Sequence, residues 1–224
     1  MKIGDLFRSF NRGVLMLLAF GGMMLYMTVP DLIVSLKPAV SFEELLEEDG
    51  RELKPGSHVK GNVVYVLDYF ASESTYTRYK DGSRSGSRKS GNYYLVPATS
   101  GPFALKSRQA DVQALDQLSK ETYECLTSGT EPSTEIFMEG KVELLEGNLV
   151  NYYQEYLEKM GYTKGEIAEL GDPLVVTYVS FNAVRVMAAI GLVLVLLGLF
   201  LLRKSYQREV RGSGLKKAED LPDL

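Results

Sequence analysis

Two runs without a single charged residue constrain this chain more than anything else in it. Residues 13–29 read GVLMLLAFGGMMLYMTV and residues 186–202 read VMAAIGLVLVLLGLFLL. As helix, each covers about 26 Å, the short end of what crosses a bilayer core, and both can lengthen at their flanks. The second run is apolar on every face, and a small soluble domain cannot surround such a helix completely. The competing readings are a buried core helix for one run and, for the first, a signal peptide behind Lys2, Arg8 and Arg12. No small-x-small cleavage pattern follows in MTVPDLIVSLKP, which favours an uncleaved anchor. The predicted order is a terminal segment 1–12, a span 13–30, a domain 31–182, a span 183–202 and a basic, disordered tail 203–224.

Orientation follows from the basic residues beside the spans. Lys2, Arg8 and Arg12 precede the first, and Arg203, Lys204, Arg208, Arg211, Lys216 and Lys217 follow the second. Both ends are therefore expected on the cytoplasmic side of the plasma membrane and the central domain on the other. A net charge of -4 on 224 residues looks like an ordinary soluble protein until it is divided by position. Residues 31–182 carry 15 Lys+Arg against 24 Asp+Glu, a balance of -9, with +2 before Pro30 and +3 from Val184 onward.

One Cys excludes an internal disulfide and a cysteine zinc site, and one His leaves little for metal binding or imidazole catalysis. No cofactor, metal or nucleic-acid partner is expected, since no phosphate loop or basic RNA-binding consensus occurs.

The central domain alternates short strands with amphipathic helices. Ser41 and Glu44 have capping-box spacing and open a short helix, FEELLEEDG, stopped at Gly50. Residues 58–70 (HVKGNVVYVLDYF) read as one strand with a glycine at a bulge or bend, followed by strands at 92–97 and 103–106. Helical spacing of Val112, Leu115, Leu118, Thr122 and Leu126 predicts a helix over 109–126, ended by Gly129. A strand at 135–144, a helix at 149–160 ended by Gly161 and a strand at 174–181 complete the order. It fits an α+β domain on a mainly antiparallel, barrel-like sheet.

Several residues invite a chemical reading beside a bland one. Cys125 lies near the apolar face of its helix and reads as a packed thiol, with an intermolecular disulfide or a nucleophile as alternatives. His58 reads as an exposed strand-edge residue. The acidic run Glu43, Glu44, Glu47, Glu48, Asp49 and Glu52 lacks calcium-loop spacing and reads as a solvated face. Met16, Met23 and Met27 share a helix face and read as core filler rather than copper ligands. Arg78, Lys80, Arg84, Arg88 and Lys89, with only Asp81 against them, form a Gly/Ser-rich, mobile hairpin loop flanked by Tyr76, Tyr79, Tyr93 and Tyr94. That loop is a candidate contact for an anionic surface, or a solvated tip.

Within the spans, Ala188, Gly191 and Gly198 share one stripe and Gly21 lies on another with Leu17, Met24 and Thr28. Small residues let helices approach, so these stripes are candidate contacts between the two spans or between copies of the chain. Asp31 and Arg185 stand at the same outer boundary and are candidates for an ion pair.

The layout of one span at each end, with VKGNVVYV and YYLVPATSGPFALKS between them, is similar to small uncharacterised bacterial two-pass membrane proteins. Its arrangement also resembles the membrane-adjacent domain between two spans of mitochondrial ubiquitin ligases, without their cysteine-rich zinc module, and implies no function. The functional expectation is a non-enzymatic membrane protein, in contact with the bilayer, whose outer domain binds a partner or senses a signal at the membrane surface. The alternatives are a small subunit of a larger membrane complex or homo-oligomer joined through the spans, and an envelope- or lipid-directed enzyme using carboxylates such as Asp68, Glu73 or Asp111.

Overall fold

The computed structural model describes residues 12–48, 50 and 52–219, with side chains through residue 208. Lys2, Arg8 and Asp49 lie outside the described residues, as do the side chains of Arg211, Lys216 and Lys217. The chain divides into two units, one built from two long helices and the other from Val34–Phe181.

In the helical unit, α1 runs Arg12–Ser35 and the last helix of the chain runs Phe181–Glu219. By length and composition, Arg12–Ser35 and Phe181–Arg208 are each able to cross a membrane. Pro30 sits inside α1 and removes one backbone donor, and Thr28 Oγ1 donates back to Met24 O at 2.8 Å in the preceding turn. The last helix continues past Leu202, so residues 203–219 are helical where the sequence reads as a structureless tail. Arg, Lys, Gln and Glu dominate this stretch and favour extension of a helix already nucleated.

The second unit is an α+β domain on a six-stranded sheet in the order β1-β5-β6-β4-β3-β2. The strands are β1 His58–Asn62, β2 Tyr69–Thr75, β3 Arg88–Val96, β4 Phe103–Lys106, β5 Phe137–Leu144 and β6 Leu174–Tyr178. Neighbours pair antiparallel except β4 and β6, which are parallel. The helices are α2 Val112–Ser128, α3 Asn148–Lys159 and α4 Lys164–Glu169, and the long helix from Phe181 is therefore α5.

The sheet is open, which corrects the barrel-like expectation. The stretch expected as one strand over 58–70 supplies both edges, β1 and β2, and these never pair. Between them the chain leaves strand geometry: Val63 N–H donates to Ile136 O, Val66 N–H to Thr122 Oγ1 and Leu67 N–H to Leu95 O. Val63, Val66 and Leu67 are all buried, a spacing no single strand can bury on one face. Gly61 marks no bulge, since His58–Asn62 pairs in unbroken register with β5.

α2 covers one face of the sheet. Its Leu115 and Leu118 pack with Tyr94, Leu105, Met138, Val142 and Val176. α3 and α4 cover part of the other, where Tyr153, Leu157 and Ile167 meet Leu95, Ala104 and Val175. Gly129 ends α2 in the left-handed conformation, φ 75°, which an L side chain adopts only under strain. The Ser41–Glu44 capping bonds form, yet they open only a 3-10 turn, Glu44–Leu46. Glu43 with Glu47 and Glu44 with Glu48 would repel one turn apart in a longer helix. α4 is absent from the sequence reading although Thr163 and Glu166 carry the same signature: Thr163 N–H donates to Glu166 Oε2 at 2.7 Å, and Glu166 N–H to Thr163 Oγ1 at 3.3 Å.

Candidate functional site

The most distinctive surface is the arm formed by β2, β3 and the residues joining them. It begins as a ladder with Ser74 opposite Lys89 and Thr75 opposite Arg88, and closes again at an Arg78–Arg84 bridge. Tyr79 N–H donates to Ser83 O at 2.9 Å, Gly82 N–H to Tyr79 O at 3.0 Å and Ser85 N–H to Thr77 O at 2.8 Å. The arm is thus hydrogen-bonded to its tip. Asp81, the one carboxylate there, accepts from Ser83 Oγ at 2.6 Å and Ser83 N–H at 2.9 Å. These bonds hold its pKa below the usual aspartate value, the side-chain bond most strongly. Arg78, Lys80, Arg84, Arg88 and Lys89 are all exposed. Tyr76 and Tyr79 are 49% and 54% exposed, and the Arg84 guanidinium sits 4.7 Å from the centre of the Tyr76 ring.

At the base of the arm the sheet presents a polar strip. Lys106 Nζ lies 3.1 Å from Glu73 Oε1, Ser90 Oγ donates to Glu73 Oε2 at 3.1 Å, and the Tyr93 ring lies 5.5 Å below the ammonium. Desolvation works against the Lys106 charge, but Glu73 and Tyr93 outweigh it and leave the pKa raised. Lys141 pairs with Glu143 at 3.1 Å along β5, and Lys60 of β1 with Glu139 of β5 at 3.4 Å.

His58 is buried, 5% exposed, which corrects the exposed-edge expectation. Its Nδ1 lies 3.3 Å from Lys37 O, its Nε2 lies 3.2 Å from Glu139 Oε1, and the Phe181 ring meets it edge-on at 4.5 Å. The outer side of β1 is closed by the segment through Val40: Val40 N–H donates to His58 O at 2.8 Å and Lys60 N–H to Val40 O at 3.0 Å. The sequence carries no local signal for this, because the covering residues lie about twenty positions upstream.

The remaining candidates occupy separate places. Asp68 accepts from Ser119 Oγ at 3.0 Å, Glu73 serves Lys106, and Asp111 takes a two-point contact from Arg108 at 2.6 and 2.9 Å. Cys125 is half-buried on α2 next to Tyr65, whose phenol is pushed up by burial and then by the neighbouring thiol. Glu43, Glu44, Glu47, Glu48 and Glu52 are exposed, and among the described residues no group of three or more His, Cys, Asp or Glu gathers as a metal site.

In the helical unit Gly21 and Gly191 face one another. A Cβ at Gly21 would stand 2.8 Å from Gly191 O, and one at Gly191 would stand 3.1 Å from Gly21 O. Gly198 lies against Leu18 and Leu17, and Ala188 is buried on the same side. Met16, Met23 and Met27 are 62%, 60% and 61% exposed, so they are not filler between the helices: the packed face is the glycine face, and they lie off it. Asp31 is half-buried near the end of α1, Arg185 is exposed in the first turns of α5, and both have interaction partners.

No curated protein and no solved structure matches the sequence. One family model does, over residues 5–204, a stretch that takes in the whole sheet domain, α1 and α5 as far as Lys204. The chain therefore belongs to the family described as "Domain of unknown function (DUF8577)".

Proposed function

We propose that this chain is a non-enzymatic two-pass integral membrane protein, with α1 and α5 as its spans, both ends on the cytoplasmic side, and the domain 34–181 on the other side as a module that binds a partner or senses a signal at the membrane surface. The observation that carries the reading is the inverted arrangement of the helical unit. Its smallest residues meet at the contact, while Phe20, Met23, Ile190, Val193 and Phe200 stand between 47% and 62% exposed around it. Water would penalise that surface heavily, whereas lipid accepts it without cost. The basic residues flanking the spans support the orientation. Because Gly21, Gly191 and Gly198 are engaged within one chain, assembly into a larger complex would use other surfaces.

The test is a thiol introduced at an exposed position of the domain, Ser87→Cys in a Cys125→Ser background. A membrane-impermeant maleimide should label it from outside intact cells, and the protein should stay with the membrane through alkaline extraction. Labelling only after the inner face is opened overturns the orientation, and release by alkali overturns the spans.

A further inference from the structure

We propose that the β2–β3 arm binds the anionic headgroups of phospholipids in the bilayer that anchors the domain, a proposal that rests on the two-pass reading.

The first argument is charge. Five exposed cations stand on the arm, and beyond the Ser74–Lys89 pair they face one acid, the exposed Asp81, which is hydrogen-bonded to Ser83. The rest of residues 31–182 is more acidic still, since the whole stretch sums to -9 with these cations included. An anionic surface therefore repels most of the domain and selects this arm.

The second is direction. Tyr93 is opposite Lys106, and Lys106 is opposite Thr177. Following β3 from Tyr93 back toward Arg88 is moving the same way along the sheet as following β6 from Thr177 to Tyr178, where the chain leaves for α5. The arm therefore extends past the end of the sheet from which the chain enters its second span. From the level of Thr177 to Arg88 is roughly 17 Å at strand rise, and the tip lies farther on.

The third is composition and order. Tyr76 and Tyr79 flank the cations with half-exposed rings, the side-chain type enriched at headgroup level. The bridge and turn bonds order the arm in advance, so little conformational freedom is lost on contact. A domain tethered at both ends meets the surface at high effective concentration, and a few basic residues then suffice.

The experiment uses the full chain reconstituted in nanodiscs of phosphatidylcholine alone or mixed with phosphatidylglycerol, with amide hydrogen exchange followed over residues 76–87. Exchange is expected to slow by about tenfold in the anionic discs, to return in high salt, and to be insensitive to lipid in the triple variant Arg78→Gln, Lys80→Gln, Arg84→Gln. Unchanged exchange over β4 and β6 shows that the variant is folded. Equal exchange in both discs, with the protein incorporated, overturns the arm's role and leaves the two-pass reading standing. Failure to incorporate overturns the two-pass reading and this proposal with it. Slowing by inorganic phosphate in phosphatidylcholine discs, or only by an acidic protein, also overturns it.

Discussion

The two units of this chain place their large apolar side chains on opposite sides. In the domain, Leu95, Leu105, Leu115 and Leu118 have no exposed surface at all, and the charged residues form the rim and the arm. In the helical unit, Gly21, Gly191 and Gly198 meet at the contact, and Phe20, Tyr26 and Phe200 point away from it. Removal of apolar surface from water holds the first kind of core together. The second depends on close backbone approach, which works where the surrounding solvent is as apolar as the side chains. A chain whose average composition looks soluble thus contains two packing rules, the first suited to water and the second to the lipid of the proposed spans.

The comparison can be broken most directly by truncating one residue of each kind. Leu118→Ala should destabilise the domain by about 2–5 kcal/mol, read as a lower urea midpoint by circular dichroism. Val193→Ala, on the 62% exposed outer face of α5, should leave that midpoint where it is. Equal losses would mean that the outer faces of the helices are buried against protein.

A second variant acts on the helical unit alone. Leu17→Cys and Gly198→Cys, made together with Cys125→Ser, should form a disulfide under mild oxidation, because a Cβ at 198 would lie 3.5 Å from that of Leu17. Adding Gly191→Ile should abolish the bridge and spare the domain's urea midpoint. A bridge that survives would show that contact through the glycines is dispensable.

Acid should act on the domain through Glu121. Its carboxylate accepts from Gln117 Nε2 at 3.0 Å, from Ser133 N–H at 2.7 Å and from Thr134 N–H and Oγ1, each at 2.8 Å. The Gln117 and Thr134 side chains are the main cause of a pKa lowered from 4.5 to about 2. A lowered carboxylate pKa means that the unfolded chain binds the proton first, so this contribution is complete above pH 4.5 and is lost as pH falls toward about 2. Glu121→Gln should flatten that part of the stability profile measured by urea titration. An unaltered acid limb would remove Glu121 from the account. The smallest effect is expected from Glu73→Gln, since Lys106 and Glu73 are 32% and 37% exposed: less than about 1 kcal/mol by thermal denaturation.

How far the fold is legible depends on the range over which its signals act. The leucine spacing of α2 and the glycine at 129 are local, and the helix forms within a few residues of the expected bounds. β4 forms at the expected 103–106. The 58–70 stretch misleads because Val and Tyr favour strands in general, while the burial of Val63, Val66 and Leu67 depends on partners more than twenty-five residues away. α4 is a different kind of miss, since the Thr163 to Glu166 spacing is present in the sequence. For the candidate site, the basic cluster is plain in the sequence, but its order, the bonds of Asp81 to Ser83 and its direction along the sheet are not.

By itself the sequence determined the two helices with uncharged runs, the distribution of charge along the chain and most of the elements between those runs, because hydrophobic period, capping and charge are properties of neighbouring residues. Only the tertiary structure decided that the sheet stays open with β1 and β2 at opposite edges, that β4 and β6 run parallel, that His58 is covered, and that the arm shares an end of the sheet with the exit to α5. Those outcomes come from pairing between residues far apart in the chain, where register and topology are chosen by the whole core at once.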